Sequence, residues 1–533
     1  MHKKYHSDLK EKNFDVIIIG SGLGGLTTAA LLARSGKKVL ILERHFVPGG
    51  FTHMFKRKHY LWDVGLHYVG QVNDINTALR KAFDYLTDGR LKWAKMDTTY
   101  DKAIIGGKEF HFVEGRENQI DELLKHFPQE EKAIRSYFEI LKGMSSATPM
   151  FFGEKSMPPF LSWFVGHFLR KKFNKLSDKT TYEALKTLTQ NEELISVLCA
   201  QCGNYGLTPK KSSFAIQALI AEHYLNGGSY PVGGAKEIYE HIGSSIVKNG
   251  GEIIVNADVK EILIEKGTAI GVQLQNGDKL FAKKIVSNAG AMNTFTHLIS
   301  NEDKLLANIR ADLQKIMPSS SHICLYVGLN ASDEELQLPK NNVWVYKSFD
   351  FDSDLDKYSK DPNFDPPLYY ISFPSSRDSD WSSKHPNRST IQVIVPCPYE
   401  TVKQWQASQW MKRNEDYAEF KNKFEKNLLD KLFELMPQTK DHIEITELST
   451  PLSTRHFTNY TSGEIYGLEH SPQRFRFKWL RPQTPIKNLF LTGQDTLTVG
   501  MGGALFSGVV TASSLLKKNF FGKIMKYQSV DPE

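Results

Sequence analysis

The glycines and the acid near the start of the chain have the types and the spacing of a dinucleotide-binding site. Gly20 permits a tight turn, Gly22 lets a pyrophosphate approach the backbone, and Gly25 allows the next helix to pack closely on the preceding strand. Glu43 follows about 20 residues later, where a carboxylate can accept the hydroxyls of an adenosine ribose. Phosphates bound here would lie at a helix N-terminus, which favours negative charge.

The elements around these residues favour an α/β fold. Residues 16–19 are a short β-branched run, as expected for a strand buried on both faces of a parallel sheet. Residues 26–33 carry an apolar helical face, and residues 38–42 predict a second strand that ends at Glu43. A glycine-rich turn alone is a weak signal. Strand, turn, helix, strand and acid in this order predict a nucleotide cradle.

A second glycine motif stands at the other end of the chain. Residues 489–495 predict a strand that enters a turn at Gly493 and Asp495, and residues 500–516 predict an apolar helix. The N–H groups at the start of such a helix can stabilise negative charge on a bound cofactor.

Both motifs resemble those of a large group of flavoproteins that includes amine oxidases, phytoene desaturases, carotenoid isomerases and retinol saturases. The resemblance implies FAD as the cofactor and a Rossmann-like FAD-binding domain of the glutathione-reductase-2 type. It also implies a backbone contact between Val259 and the adenine. The residues that it assigns to FAD are Gly20, Gly22, Leu23, Gly24, Gly25, Glu43, Arg44, Gly49, Gly50, Val259, Gly493, Asp495, Gly502, Gly503 and Ala504.

Three further segments make the resemblance more specific. Residues 227–234 resemble phytoene desaturases and carotenoid isomerases, whereas residues 66–70 and 203–207 are more similar to retinol saturases. This implies an oxidoreductase acting on CH–CH bonds, which saturates a C=C bond of a retinoid, carotenoid or other long polyene by hydride transfer from flavin N5. The same FAD would serve a desaturase or a cis-trans isomerase. Rab GDP-dissociation inhibitors, which bind lipidated partners without FAD, are the non-enzymatic alternative.

A saturase needs a proton donor, because addition of hydride to a conjugated alkene leaves negative charge. The candidates are His67, Tyr68 and Glu222, which lie in the stretches that look most like retinol saturases. We favour His67 and Tyr68 as the donors. The resemblance further assigns Tyr230 and Tyr466 to the substrate.

Residues 149–175 are rich in phenylalanine and end in clustered bases. Such a segment is too short to span a bilayer but suits insertion into an interface with anionic headgroups. An ordinary core helix with a solvated basic end is the alternative. We favour the membrane interface, because apolar residues occur around much of the helix.

Composition excludes several classes of protein. The net charge of +7 is too mild to indicate nucleic-acid binding, and no motif for it is present. Four cysteines suit a reducing compartment, and Cys199 and Cys202 are interpreted as buried thiols on one helix face. Neither a secretory signal nor a metal-ligand pattern is found. We therefore predict a cytoplasmic, peripherally membrane-associated protein without bound metal.

The chain is long enough for two domains. We predict a discontinuous FAD-binding domain over residues 14–80, 230–300 and 480–517. Residues 81–229 and 301–479 are predicted to form an interleaved α+β substrate domain with a mixed sheet, including a hairpin near residues 103–112, strands at residues 323–327, 368–373 and 391–395, and a helix over residues 401–436. In the cofactor domain, residues 252–255 and 258–262 predict a strand pair, and residues 284–290 predict a strand and a turn that return to the cofactor. A second glycine-rich motif for a nicotinamide cofactor is not found. The reductant and the oligomeric state stay open.

Overall fold

The computed structural model describes residues 1–300, 304–361 and 365–529. Its strands are β1 (Lys3–Lys4), β2 (Phe14–Ile19), β3 (Val39–Leu42), β4 (Met54–Arg57), β5 (Tyr60–Asp63), β6 (Val69–Gly70), β7 (Trp93–Lys95), β8 (Thr99–Ile105), β9 (Lys108–Val113), β10 (Gly228–Pro231), β11 (Glu252–Val255), β12 (Val259–Glu265), β13 (Thr268–Leu274), β14 (Lys279–Ser287), β15 (His322–Leu329), β16 (Asn342–Tyr346), β17 (Leu368–Ser372), β18 (Ser389–Pro396), β19 (Ile443–Ser449) and β20 (Leu489–Leu491).

The α-helices alternate with these strands along the chain. They are α1 (Leu23–Ala33), α2 (Ala78–Thr87), α3 (Arg116–His126), α4 (Glu131–Glu154), α5 (Pro159–Ser177), α6 (Thr181–Lys186), α7 (Glu192–Leu198), α8 (Phe214–Tyr224), α9 (Lys236–Lys248), α10 (Ala291–Thr296), α11 (Ala307–Leu313), α12 (Phe351–Lys360), α13 (Pro374–Arg377), α14 (Trp381–Lys384), α15 (Glu415–Leu435), α16 (Pro451–Thr458), α17 (Pro472–Arg476), α18 (Gly500–Leu516) and α19 (Phe520–Met525).

An eight-stranded sheet carries both glycine motifs. Its order is β1-β11-β3-β2-β14-β13-β12, and β20 also pairs with β14. Strands β3, β2, β14 and β20 run parallel, so the turns after β2 and β20 lie at the same edge of the sheet. The β-branched residues of β2 are buried, and helices α1 and α18 pack against each other beside them. The predicted succession of strand, turn, helix and strand at the start of the chain is confirmed.

A seven-stranded mixed sheet forms the second large layer. Its order is β19-β15-β18-β17-β16-β8-β9, with one parallel pair, β16 with β8. The predicted hairpin is β8 and β9, and its glycines Gly106 and Gly107 both have positive φ, as the tight turn requires. The predicted strands near residues 323, 368 and 391 are present as β15, β17 and β18. Helix α15 covers one face of this sheet, where Leu428 and Leu432 are buried.

Three expectations about local structure are wrong. The helix predicted over residues 401–436 begins at Glu415, because Asn414 caps it there and short 3-10 turns occupy residues 399–405. Strands β11 and β12 do not pair with each other, since β11 extends the parallel sheet beside β3 and β12 pairs with β13. Cys199 and Cys202 are buried but do not share a helix, because α7 ends at Leu198.

The segment 149–175 is not a single element. Phe151 is on the last turns of α4, where it is buried and stacks on Phe173 at 3.8 Å between ring centroids. Helix α4 ends at Glu154, and α5 begins at Pro159 and carries the aromatic residues from Phe160 onward together with the bases. No helix among the described residues is long and apolar enough to cross a membrane.

The two large sheets draw on different parts of the chain. The eight-stranded sheet uses residues between 3 and 42, between 252 and 287, and between 489 and 491. The seven-stranded sheet uses residues 99–113 and strands between 322 and 449. The domain boundaries themselves stay a prediction, and the start of the second substrate segment at 301 lies outside the described residues.

Candidate functional site

A cavity of about 850 Å³ connects the two glycine motifs with the seven-stranded sheet. Its size falls in the usual range for ligand sites. One part is lined by residues of the N-terminal and C-terminal motifs, and another part by side chains of β15 to β18. Among the lining residues are Gly22, Glu43, Gly493, Trp344, Tyr370 and Ile394.

The glycines of the first turn leave backbone space that any side chain would fill. A Cβ on Gly24 would lie 2.7 Å from the backbone of Gly493, and a Cβ on Gly22 would lie 2.9 Å from the amide nitrogen of Asn288. A Cβ on Gly25 would lie 2.3 Å from the carbonyl oxygen of Gly20, so Gly25 allows α1 to pack against the end of β2. The approach at Gly25 fits the packing role predicted for it, and the φ of +90° at Gly20 fits the predicted turn, whereas the pyrophosphate contact of Gly22 stays a prediction.

Glu43 is held in a fixed orientation directly after β3. Its Oε2 accepts hydrogen bonds from the backbone N–H of Ser21 at 2.8 Å and from the Ser21 hydroxyl at 2.7 Å, and its Oε1 accepts one from the N–H of His45 at 2.8 Å. The side chain lines the cavity. Because a carboxylate has about four acceptor positions, it keeps capacity for a ribose hydroxyl.

The C-terminal motif supplies the other wall of the cradle. Asp495 accepts hydrogen bonds from the backbone N–H groups of Ala291 at 2.7 Å and Leu468 at 2.8 Å, which fixes its carboxylate at the cavity. Helix α18 begins at Gly500, and Met501 and Ala504 line the cavity beside it. The N-terminus of α18 therefore presents its dipole to the cavity.

Gly502 and Gly503, on the same helix, do not line the cavity. A Cβ on Gly503 would lie 2.1 Å from the carbonyl oxygen of Thr498, so this glycine lets the preceding loop fold back on the helix. The remaining predicted cofactor residues, Leu23, Arg44, Gly49, Gly50 and Val259, line the cavity.

Asn288 is a cavity residue that the sequence did not single out. It follows β14, and its amide lies where a Cβ on Gly22, Gly24 or Gly493 would make contact at 2.9, 2.9 or 2.5 Å. The sequence analysis predicts that the turn after β14 returns to the cofactor, and a polar residue at the end of such a strand is the signal that could identify Asn288.

His67 is the predicted proton donor that lines the cavity. Its Nδ1 lies 3.2 Å from the hydroxyl of Ser372, and its ring meets Tyr370 edge-on at 5.1 Å. Burial lowers the pKa of His67 to about 3, with further contributions from the charges of Arg377 and His322. The imidazole is therefore neutral at physiological pH.

Tyr68 and Glu222 lie outside the cavity lining. The Tyr68 hydroxyl donates to Asp101 Oδ2 at 2.8 Å, and its ring stacks on Tyr224 at 4.1 Å. Glu222, on α8, lies 3.6 Å from the guanidinium of Arg116, and burial raises its pKa. The structure therefore does not bring the three predicted donors together.

The two predicted substrate tyrosines are also separated. Tyr466 lines the cavity and donates its hydroxyl hydrogen to the carbonyl of Gly203 at 3.0 Å. Tyr230 is not among the lining residues and donates to the carboxylate of Asp63. Asp63 also accepts from the N–H of Ala235 at 2.9 Å, and burial raises its pKa to about 7. The hydrogen bond from Tyr230 thus joins the glycine-rich segment 227–234 to the end of strand β5.

The part of the cavity beyond His67 is walled by aromatic and aliphatic side chains. Strands β16 to β18 contribute Trp344, Tyr370 and Ile394, and helix α12 contributes Phe351 and Leu355. Trp344 and Tyr370 contact each other at 4.3 Å between ring centroids. Such a wall offers apolar contacts to a ligand and few hydrogen bonds.

Helix α5 has an unusual distribution of side chains. Its buried residues are Ser162, Gly166, Phe173 and Ser177, so mostly small residues face the protein. Large apolar residues face outward: Phe160, Leu161, Trp163, Phe164, Val165 and Phe168 are exposed, Trp163 to 78% and Phe168 to 76%. Exposed apolar residues grouped on one helix are typical of an interaction surface.

In sequence and in fold, the chain is similar to known oxidoreductases. Residues 18–86 match the family model of the NAD(P)-binding Rossmann-like domain. The chain is 34% identical over 527 residues to the all-trans-retinol 13,14-reductase of Danio rerio, covering 95% of this chain and 87% of that protein.

Two further comparisons extend the likeness. The chain is 26% identical over 524 residues to the chloroplastic prolycopene isomerase 2 of an Oncidium hybrid cultivar, covering 94% of this chain and 83% of that protein. The solved structure of an oxidoreductase from Methanosarcina mazei has a TM-score of 0.63 at 19% identity and covers 94% of this chain and 100% of that chain. This structural likeness shows the fold and confirms the predicted Rossmann-like class.

Proposed function

The chain belongs to the family of the all-trans-retinol 13,14-reductases, and from this premise we propose that it is an FAD-dependent oxidoreductase that saturates one C=C bond of a long apolar polyene. The observation that carries the proposal is the continuity of the cavity. The nucleotide cradle, with Glu43 and the N-terminus of α18, shares one cavity with the apolar wall of Trp344, Tyr370 and Ile394.

The residues of the cradle fit FAD. Glu43 would bind the adenosine ribose, the glycine turn leaves room for the pyrophosphate, and the N-terminus of α18 would stabilise negative charge on the flavin ring. Val259 and Asp495 complete the proposed cofactor site. FAD supplies hydride transfer when it is bound. The protein contributes orientation, and its aromatic wall excludes water from the substrate.

His67 is the proposed donor to the substrate. Of the three donors predicted from the sequence, it is the one that lines the cavity. Tyr68 and Glu222 are assigned structural roles, since their partners are Asp101 and Arg116. Tyr466 is kept as a substrate contact, and Tyr230 is assigned to the hydrogen bond with Asp63.

Isomerisation is the second candidate, because a prolycopene isomerase is similar over 94% of the chain. Saturation is favoured by the higher identity, 34%, to a retinol reductase. A lipid-binding protein without flavin, like the Rab GDP-dissociation inhibitors, is disfavoured by the cradle, whose glycine turn and Glu43 are arranged as a dinucleotide site requires.

The test begins with the colour of the purified protein. We expect bound FAD, and we expect the anaerobically photoreduced enzyme to be reoxidised by a retinoid or carotenoid that gains two hydrogens by mass. Product of unchanged mass and altered double-bond geometry would identify an isomerase, and loss of two hydrogens with the oxidised enzyme would identify a desaturase. A folded protein that binds no FAD would contradict the proposal altogether.

A peripheral association with membranes is part of the proposal. The exposed aromatic face of α5 would enter the interface, and Lys171, Lys172 and Lys175, which are exposed on the same helix, would meet anionic headgroups. Arg170 is excluded from this role, because it is mostly buried and pairs with Glu154 at 3.1 Å. A polyene partitions into lipid, so attachment would bring the cavity to its substrate.

A further inference from the structure

A buried polar network approaches His67 from the seven-stranded sheet. Arg377, on α13, is 3% exposed and donates from Nη1 to the backbone carbonyl of His67 at 2.8 Å and to the hydroxyl of Ser372 at 3.0 Å. Its Nη2 donates to Asn342 Oδ1 at 2.7 Å, and Asn342 donates in turn to Asp101 at 2.7 Å. The side-chain amide of Asn342 thus bridges Arg377 and Asp101 by hydrogen bonds.

The directions of these hydrogen bonds favour one tautomer of His67. A guanidinium can only donate, so the Ser372 oxygen accepts from Arg377 and its own hydrogen is free to point to Nδ1 of His67, 3.2 Å away. If Nδ1 carried the proton instead, this hydrogen would have to turn to the hydroxyl of Tyr370, which itself donates to Asn342 Oδ1 at 2.6 Å. The bond to Nδ1 satisfies the hydrogen of the buried Ser372 hydroxyl at 3.2 Å and favours the tautomer of His67 that carries its proton on Nε2.

The Nε2 of His67 has no hydrogen-bond partner in the described part of the chain, and the ring lines the cavity. The charged or titratable groups around the ring are Arg377, His322 and Tyr370. His322 lines the same cavity at the start of β15, and burial lowers its pKa to about 4, so it is also neutral. The surroundings therefore disfavour an imidazolium at this position.

We propose that Ser372 and Arg377 are positioning residues for His67, and that they present a neutral Nε2–H, not an imidazolium, to the substrate in the cavity. The inference rests on the proposed function, in which His67 meets the substrate. A neutral imidazole can act as a directional donor towards an atom where negative charge develops, provided its tautomer is fixed. Ser372 fixes the tautomer, and Arg377 fixes Ser372 and the backbone of His67.

The tautomer can be measured without any variant of the network. The FAD-loaded enzyme, labelled with ¹⁵N in histidine, would be studied by NMR at pH 7, and His67→Phe would identify the His67 signals by their loss. We expect an unprotonated Nδ1 and a protonated Nε2. A protonated Nδ1, whether in the other neutral tautomer or in an imidazolium, would overturn the proposal even in an active enzyme.

The kinetic arm uses single-turnover reoxidation of reduced enzyme by a polyene. Ser372→Ala should slow this step by about 10-fold or more, because the donor loses its fixed orientation. Ser376→Ala is the matched control, since its hydroxyl bonds to the carbonyls of Pro339 and Phe373 and not to His67. Equal rates in the two variants, with FAD bound in both, would overturn the role of Ser372.

The pH profile separates the two possible forms of His67. A neutral donor predicts a reoxidation rate that is constant between about pH 6 and pH 8, whereas an imidazolium with an ordinary pKa near 6.5 would lose rate as the pH rises through this interval. A rate that falls in this way, while the ¹⁵N signals of His67 titrate over the same interval, would overturn the proposal. Failure of every polyene to reoxidise the flavin would instead contradict the proposed function, while the NMR result would still report the tautomer.

Discussion

At the scale of single residues, the cradle can form because its glycines have no Cβ atom. The Cβ of an alanine at Gly24 would lie 2.7 Å from both N and Cα of Gly493, and backbone atoms cannot move aside as a flexible side chain can. The contact joins the first turn of the chain to the last, so a clash would separate the two halves of the cofactor site.

Gly24→Ala is therefore expected to lower FAD occupancy strongly, measured by flavin absorbance per folded protein. Gly143→Ala is the matched control, because Gly143 is in the interior of α4 with no atom within 4 Å of an added Cβ. It should keep its flavin and gain about 0.5–1 kcal/mol in free energy of unfolding from the better helix propensity of alanine. Full occupancy in Gly24→Ala would show that the two motifs do not form one site.

At the scale of elements, α5 combines a narrow buried stripe with a broad aromatic face. Replacing Trp163, Phe164 and Phe168 by serine should release the protein from liposomes in a sedimentation assay, because these side chains are exposed and would supply the apolar contact. Reversal of Lys171, Lys172 and Lys175 to glutamate should remove the dependence on anionic lipid.

Met317→Ser is the control for the serine variants, since Met317 is a 66% exposed apolar residue on another part of the surface. It should leave vesicle binding unchanged. The variants of α5 should fold, because Ser162, Gly166 and Phe173, which pack against the protein, are untouched. Sedimentation of all variants like the unaltered protein would mean that α5 is not a membrane contact.

The elements also show which structure can be predicted from sequence. Strand β2, helix α1 and strand β3 follow from local periodicity and glycine spacing, and so does the β8–β9 hairpin. The start of α15 is predicted too early, because the 3-10 turns at residues 399–405 look helical in the sequence and the capping signal of Asn414 is not used. The network around His67 could not be predicted, since Ser372 is 305 residues away in the chain and meets His67 only through tertiary packing.

At the scale of the whole molecule, the cofactor site joins segments that are far apart in the chain. Glu43 and the first glycine turn, Val259 at the start of β12, Asn288 after β14, and Asp495 before α18 all line one cavity. A ligand that contacts them all binds the folded chain and not the unfolded one. Its binding free energy must therefore add to the stability of the fold.

Added FAD is accordingly expected to raise the melting temperature of protein stripped of flavin. At a free concentration of 100 times Kd the stabilisation is about 2.7 kcal/mol, which for a chain of this length corresponds to a shift of about 2 °C. Calorimetry at several FAD concentrations would measure it, and the shift should grow with the logarithm of concentration. Gly24→Ala should show no shift at the same concentrations. An unchanged melting temperature in the unaltered protein, although flavin absorbance shows FAD bound, would mean that FAD binds the unfolded chain as well as the folded one, which a site assembled from these distant segments does not allow.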